Sequence, residues 1–382
     1  GGISNPNVSG GASETTLQSF YGRVNYNYKE KYLFEANVRY DASSRVNQGR
    51  RIEGFGAQLY STYPSVSAGW VASKENFLKD AEWLTNLKFR GSYGITGNDG
   101  QQNYVYDQTY SVFENDYILG ATPAIVGGAS LNRLANPQIA WEAIEQLDVA
   151  VDLGLFKNKL SLTAEYYIKN SKDVLYTEYP VPSSIGVSNI ASKNAASITN
   201  KGLEFSLNYR EQLGDLKFSF GASVTRYLEN TVTDLGEDGV SLISGVTIIK
   251  VGQPFQSYYG YNNIGVFQTA DQVAAAPVQF GSTRTAPGDL IYEDINGDNK
   301  IDAKDRQIIG NPNPEWLYNF NTKMSYKFVD FSILFQGVEG IDRYLDNNGQ
   351  RGFPDARNNA LSYWIDRWTP ENPSTTLQIG RA

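Results

Sequence analysis

The stretch Phe20-Tyr21-Gly22-Arg23-Val24-Asn25-Tyr26-Asn27-Tyr28-Lys29-Glu30-Lys31-Tyr32-Leu33-Phe34-Glu35-Ala36-Asn37-Val38-Arg39-Tyr40 alternates without a break on either side of one charged tripeptide. Phe20, Gly22, Val24, Tyr26 and Tyr28 share one face. Tyr21, Arg23, Asn25 and Asn27 share the other. After Lys29-Glu30-Lys31 the pattern resumes, with Tyr32, Phe34, Ala36, Val38 and Tyr40 set against Leu33, Glu35, Asn37 and Arg39. Side chains alternate faces along a strand, so this is a hairpin with one apolar and one polar side.

The same pattern returns along the chain. Leu87, Phe89, Gly91, Tyr93 and Ile95 oppose Lys88, Arg90 and Ser92. Leu147, Val149, Val151 and Leu153 oppose Gln146, Asp148 and Asp152. Further strands are predicted around Leu160–Ile168, Leu203–Tyr209, Phe218–Val224, Tyr318–Tyr326 and Phe331–Phe335. Many of these segments run to about 10 residues, the length that crosses a bilayer when tilted. The connections alternate between short and long. Tight turns are expected near Lys29–Lys31, Phe156–Lys159, Glu211–Asp215 and Lys327–Asp330, and a longer one with a helical turn near Ser73–Leu84. Long connections are expected near 42–62, 97–138, 170–198 and 228–315. Outer-membrane barrels have short turns on the periplasmic side and long loops outside, an asymmetry a sandwich has no reason to adopt. The expected fold is therefore all-β, a transmembrane antiparallel up-and-down β-barrel with about ten strands present. Tyr26, Tyr28, Tyr32, Phe34, Phe156, Tyr326, Phe328 and Phe331 cluster near the short turns, where they would form an interfacial aromatic girdle.

Composition narrows the function. The 382 residues contain 26 Tyr, 18 Phe, 6 Trp and 36 Gly, but no Cys and no His. Disulfides, thiolate chemistry, imidazole ligands and Ser-His-Asp arrangements are excluded. The net charge of −8 and the lack of a basic face beyond Arg50-Arg51 argue against nucleic acid. No apolar run reaches the roughly 18 residues of a membrane helix. Gly1-Gly2 reads as an arbitrary start within a longer protein.

One compact motif carries metal chemistry. Asp294, Asn296, Asp298, the Lys300 carbonyl, Asp302 and Asp305 fall at positions 1, 3, 5, 7, 9 and 12 of a candidate Ca²⁺ loop. Asn299 takes the place of the usual Gly at position 6, and Asp305 that of a bidentate Glu. The competing reading is a polar, turn-rich loop. An ion there would be structural. Glu142 and Glu145 could suggest glycosidase chemistry, but no catalytic residues are assigned, and they read as lumen or loop carboxylates. Gly97-Asn98-Asp99-Gly100 and Gly127-Gly128 read as turns. Tyr104, Tyr106, Tyr110, Tyr117, Tyr258, Tyr259 and Tyr261 are candidate substrate-binding loop aromatics, set against simple loop self-packing.

Several segments resemble a known family. Asn86-Leu87-Lys88-Phe89-Arg90-Gly91-Ser92-Tyr93-Gly94-Ile95-Thr96-Gly97-Asn98 resembles a strand of TonB-dependent receptors. Trp141-Glu142, Gln146, Asp152, Leu155-Phe156, Tyr166-Tyr167 and Lys172-Asp173 resemble their following hairpin, and Asn200-Lys201-Gly202-Leu203-Glu204 a further strand start. Pro287-Gly288-Asp289, Asp294 to Asp298, Asp305-Arg306, Gly310-Asn311-Pro312 and Trp368-Thr369-Pro370 are similar to the SusC/RagA branch. The resemblance covers nearly all of the chain. It implies that residues 1–382 are part of a barrel of about 22 strands, with the plug, the TonB-contacting segment and the barrel closure outside this chain. It further implies import of oligosaccharides or peptides across the outer membrane of a Gram-negative, Bacteroidetes-like bacterium. Implied partners are a SusD-like lipoprotein, outer-membrane lipid and, through the plug, TonB–ExbB–ExbD. A passive porin or structural barrel, and a soluble secreted β-rich binding protein, are the competing functions.

Overall fold

In a computed structural model, the structure describes residues 12–46, 60–100, 103–119, 124–176, 184, 186–187, 192–236, 241–345 and 361–378. Arg50-Arg51 lie outside them. The chain forms two compact units, residues 1–242, 250–253 and 315–338, and residues 243–249, 254–314 and 339–382.

The first unit is built on ten antiparallel strands, β1 (Leu17–Tyr28), β2 (Tyr32–Ser43), β3 (Tyr60–Val71), β4 (Leu84–Asn98), β5 (Glu142–Leu155), β6 (Leu160–Tyr176), β7 (Lys193–Leu213), β8 (Leu216–Asp234), β9 (Trp316–Tyr326) and β10 (Val329–Glu339). They form one sheet in this order. Each strand neighbours the one before it, as in an up-and-down barrel wall.

The short connections all fall at one end and adopt backbones suited to tight turns. Lys29 and Glu30 have φ of 52° and 55°, Phe156, Lys157 and Asn158 lie between 53° and 61°, and Gly214 is at 63°. Positive φ at a hairpin turn matches the twist of the strands it joins. The longer connection between β3 and β4 holds two 3₁₀ turns, Ala72–Lys74 and Asn76–Leu78. Here Glu75 accepts hydrogen bonds from Lys31 Nζ and Tyr32 Oη, both at 2.8 Å, and from Trp70 Nε1 at 3.3 Å. The Lys31 hydrogen bond, with that of Tyr32, holds the Glu75 carboxyl below the usual carboxylate range.

Register aligns the apolar faces. Tyr28, Tyr32, Trp70, Phe89, Val151, Ala164, Phe205, Val224 and Tyr318 form one cross-strand row over nine strands. A polar row three residues further from the short turns runs Asn25, Glu35, Ser67, Ser92, Asp148, Tyr167, Gly202 and Tyr227. The apolar side is open. Val149 is 52% exposed, Phe205 49% and Ile333 54%. A soluble sandwich would bury this face in a core, and so large an exposed apolar surface marks an interface, here with lipid. The buried clusters among the described residues of this unit are small. Val46, Tyr63 and Trp141 pack with Ile95, and Val105 and Ile139 pack with Tyr106 and Leu175.

Two local expectations are corrected. The connection 97–138 contains a hairpin, Thr109–Leu119 paired with Ala124–Arg133. Gly127 and Gly128 lie inside its second strand rather than in a turn. Its register shifts at Thr109/Tyr110, Val112/Glu114 and Glu114/Tyr117, so it lacks the clean alternation that reveals a strand in a sequence.

The second unit is irregular. Ser257–Gly260 pairs with Thr247–Ile249 and with Gln307–Gly310. One short helix, Ala270–Ala275, is capped by Thr269 Oγ1, which accepts from the Gln272 amide. Its core contains Ile248, Ile249, Val266, Phe267, Ile301, Trp364 and Trp368.

Candidate functional site: the polar wall and the loop unit

The face opposite the apolar row carries the sheet's polar chemistry. Alternation puts every second residue there, and register decides which of them meet. Arg90 Nε lies 3.1 Å from Asp152 Oδ2, and Arg90 Nη2 lies 2.6 Å from Glu165 Oε2, so one guanidinium spans three strands. Thr163 donates to the other Asp152 oxygen at 3.0 Å. Asp148 accepts from Ser92 at 3.2 Å and Gln146 at 2.9 Å. Arg23 lies 3.8 Å from Glu35 and donates to Asn37 Oδ1 at 2.6 Å. Arg39 pairs with Asp41 at 2.7 Å. On β7 to β9 one row of the wall is neutral, Ser206, Ser223 and Asn319. Such a surface can line water and make weak polar contacts to a passing solute.

Glu142 and Glu145 are held by structural partners. Glu142 accepts from the Leu175 amide at 2.7 Å and Asn98 Nδ2 at 2.6 Å. Glu145 pairs with Lys172 at 2.7 Å.

The candidate loop aromatics fall into two groups. In the first unit, Tyr104 Oη donates to the Glu14 carbonyl at 3.2 Å, and Tyr106 Oη donates to the Ser44 carbonyl at 3.1 Å. Burial raises the Tyr106 phenol above its ordinary range. Tyr110 is exposed on the added hairpin. Tyr117 lies on that hairpin too, with its side chain outside the described residues. In the second unit, Tyr258 and Tyr259 lie on Ser257–Gly260, and Tyr258 packs against Tyr344. Tyr261 packs against Phe280 at 4.9 Å and Tyr292 at 5.7 Å, under the Arg306 guanidinium.

The candidate Ca²⁺ loop is wound tightly on itself. Asp294 accepts from the Gly297 and Asn299 amides, both at 2.8 Å. Asn296 Oδ1 accepts from Asp298 N at 2.9 Å, and Asp298 Oδ1 from Lys300 N at 3.1 Å. Asn299 sits at φ 62°, the left-handed conformation that Asn tolerates. Asp305 is fully buried. Its carboxylate accepts from Asp302 N at 2.8 Å and Ile295 N at 3.1 Å, closing the loop and forming a capping box with Asp302. The Asp302 amide leads the causes that hold this carboxyl below its usual range. Among the described residues, no three acidic side chains converge as a ready-made metal centre.

Sequence reading did not single out the Arg90–Asp152–Glu165 group. The three positions were visible as polar members of alternating strands, but their meeting depends on the register of β4, β5 and β6.

An open, strictly up-and-down wall with one apolar and one polar face defines a transmembrane barrel protein. The family model "TonB dependent receptor-like, beta-barrel" matches residues 1–377. The chain belongs to this family of Gram-negative outer-membrane barrels. It is 32% identical to TonB-dependent receptor P3 of Formosa agariphila over 98% of this chain and 38% of that protein. It is 28% identical to TonB-dependent receptor SusC of Bacteroides thetaiotaomicron over 84% of this chain and 31% of that protein. The RagAB peptide transporter superimposes with a TM-score of 0.74 at 22% identity, over 96% of this chain and 38% of that one, which supports the fold. The chain thus spans less than two-fifths of the relatives it matches.

Proposed function

We propose that this chain is barrel wall from an energy-coupled importer that carries oligosaccharides or peptides across the outer membrane of a Bacteroidetes-like bacterium. A SusD-like lipoprotein would deliver cargo at the long loops. TonB–ExbB–ExbD would open the path through a plug encoded outside these residues. The observation that carries this reading is the unbroken apolar row from Tyr28 to Tyr318, backed by a polar face. The cargo classes are those that the resemblance to the SusC/RagA branch implies, and one solved structure of similar fold is a peptide transporter. The test is purification of the native complex from outer membranes with mass spectrometry of what accompanies it. A longer parent chain with a surface lipoprotein is expected; recovery without detergent would overturn the reading.

The same proposal includes a structural Ca²⁺ in the loop Asp294–Asp305. The side-chain donors there are all hard oxygens, as Ca²⁺ requires. Binding would draw Asp298 and Asp302, which already accept from the Lys300 and Lys304 amides, toward Asp294, which accepts from the Gly297 amide.

A further inference from the structure

The apolar face of β8 ends in a charge. It reads Leu216, Phe218, Phe220, Ala222 and Val224, and then Arg226. Arg226 lies ten residues from Leu216, the end of β8 at the short turn. At about 3.3 Å per residue and a tilt of about 45°, this is about 23 Å along the membrane normal, the outer edge of an apolar band about 25 Å tall. Cross-strand rows climb across the tilted sheet. Tyr28 ends β1 at its turn, whereas Val224 and Tyr318, in the same row, stand eight residues from the short-turn ends of β8 and β9. Arg226 is therefore higher than Val149, which lies three strands back in its own row. The Arg226 side chain is 39% exposed, lies over the Trp316 ring at 4.4 Å and reaches Glu315 at 4.0 Å. An exposed pair at that separation contributes little. The charges that follow on this face are closed pairs, Lys201 with Glu229 at 2.6 Å and Lys172 with Glu145 at 2.7 Å. On the turn side of Arg226, Ala164 and Ala222 stand among Leu162, Phe205, Leu207 and Val224 and border a hollow of about 460 Å³. Val224 in its lining is two residues, or about 7 Å, from Arg226.

We propose that Arg226 and this hollow form a site for one phosphorylated lipid of the outer leaflet, with its phosphate on the guanidinium and an acyl chain in the hollow. The inference rests on the lipid-facing assignment of the apolar row and not on the import reading. A guanidinium presents N–H groups in pairs that match phosphate oxygens. The Trp316 ring, opposite Arg226 on β9, suits the headgroup level and holds the guanidinium there. A charge on the lipid face is tolerated at this edge, because its cost falls toward the interface. The hollow lies between Arg226 and the bilayer centre, where the chain of an outer-leaflet lipid must run. Its leucine, valine, alanine and phenylalanine walls suit hydrocarbon. Free phosphate would leave them bare.

The test uses the full-length protein in detergent, stripped of lipid. It is titrated with diphosphoryl lipid A, with the same lipid after removal of its phosphates, and with inorganic phosphate as competitor, and bound lipid is counted by native mass spectrometry. The wild type should bind the phosphorylated form at least about fivefold more tightly than the dephosphorylated one, the attraction of one cation to an anionic headgroup. R226Q should abolish that preference, and R226K, which keeps the charge, should keep most of it. A222W, which fills the hollow, should weaken both forms alike. R23Q, altered at a cation on the polar face, should change neither. Equal affinity of the wild type for the two forms, an unchanged preference in R226Q, unchanged binding in A222W, or displacement of the lipid by millimolar phosphate would overturn the site.

Discussion

Placing an arginine at Val149 separates lipid from water as the solvent of the apolar face. Val149 lies six residues from Leu155, the end of β5 at the short turn. At about 3.3 Å per residue this is about 20 Å along the strand. A tilt of about 45° reduces it to about 14 Å along the membrane normal, close to the middle of an apolar band about 25 Å tall. Arginine at that depth costs about 2–4 kcal/mol, a loss of roughly 30-fold to several-hundred-fold in the folding constant. Gln146 is the control. It lies on the same strand but on the polar face, beside Asp148. Gln146→Arg should change stability by no more than about 0.5 kcal/mol. The assay is urea unfolding of the full-length protein from lipid vesicles, followed by tryptophan fluorescence and gel mobility. Equal, small costs for V149R and Q146R would refute the assignment of the apolar row to lipid.

Three further outcomes follow from the structure. Gly202 sits opposite Tyr167, and a Cβ there would lie 2.5 Å from its hydroxyl oxygen and 2.6 Å from two ring carbons. Gly202→Ala should cost about 1–3 kcal/mol, and Tyr167→Ala in the same chain should recover part of it; additive costs in the double-mutant cycle would count against the contact. The Asp305 carboxyl is held below its ordinary value of 3.8 when folded. Its stabilisation is therefore full above that value and lost as pH falls through the lower folded value. Protease resistance of the loop should drop in that acid window in wild type, and Asp305→Asn should remove the pH dependence. Added Ca²⁺ should protect residues 294–305 from proteolysis in wild type but not in Asp298→Asn; protection equal in both, or absent from both, would exclude the ion from this loop.

Strand identity was legible wherever one face meets lipid and the other water. That contrast imposes a period of two on each segment separately, so Phe20–Tyr40 reveals its hairpin with no knowledge of its neighbours. The short turns were equally plain, because chain reversal over two to four residues is local. The hairpin from Thr109 to Arg133 escaped notice because its broken register and Gly127-Gly128 blur the alternation. The strands also extend past their apolar stretches: β7 runs from Lys193 to Leu213, although its alternation is clear only from Leu203 to Tyr209. Backbone pairing continues beyond the lipid, where nothing constrains the side chains to alternate.

By itself, then, the sequence determined the strands, the sidedness of each and the alternation of turns and loops, all properties set by near neighbours along the chain. Only the tertiary structure decided which polar residues meet. Arg90 finds Asp152 and Glu165 across two strand pairings, and Arg210 and Lys217 share a hollow with Lys323, more than a hundred residues away. Such contacts depend on register between strands, and a shift of one residue would send each of these side chains to the opposite face.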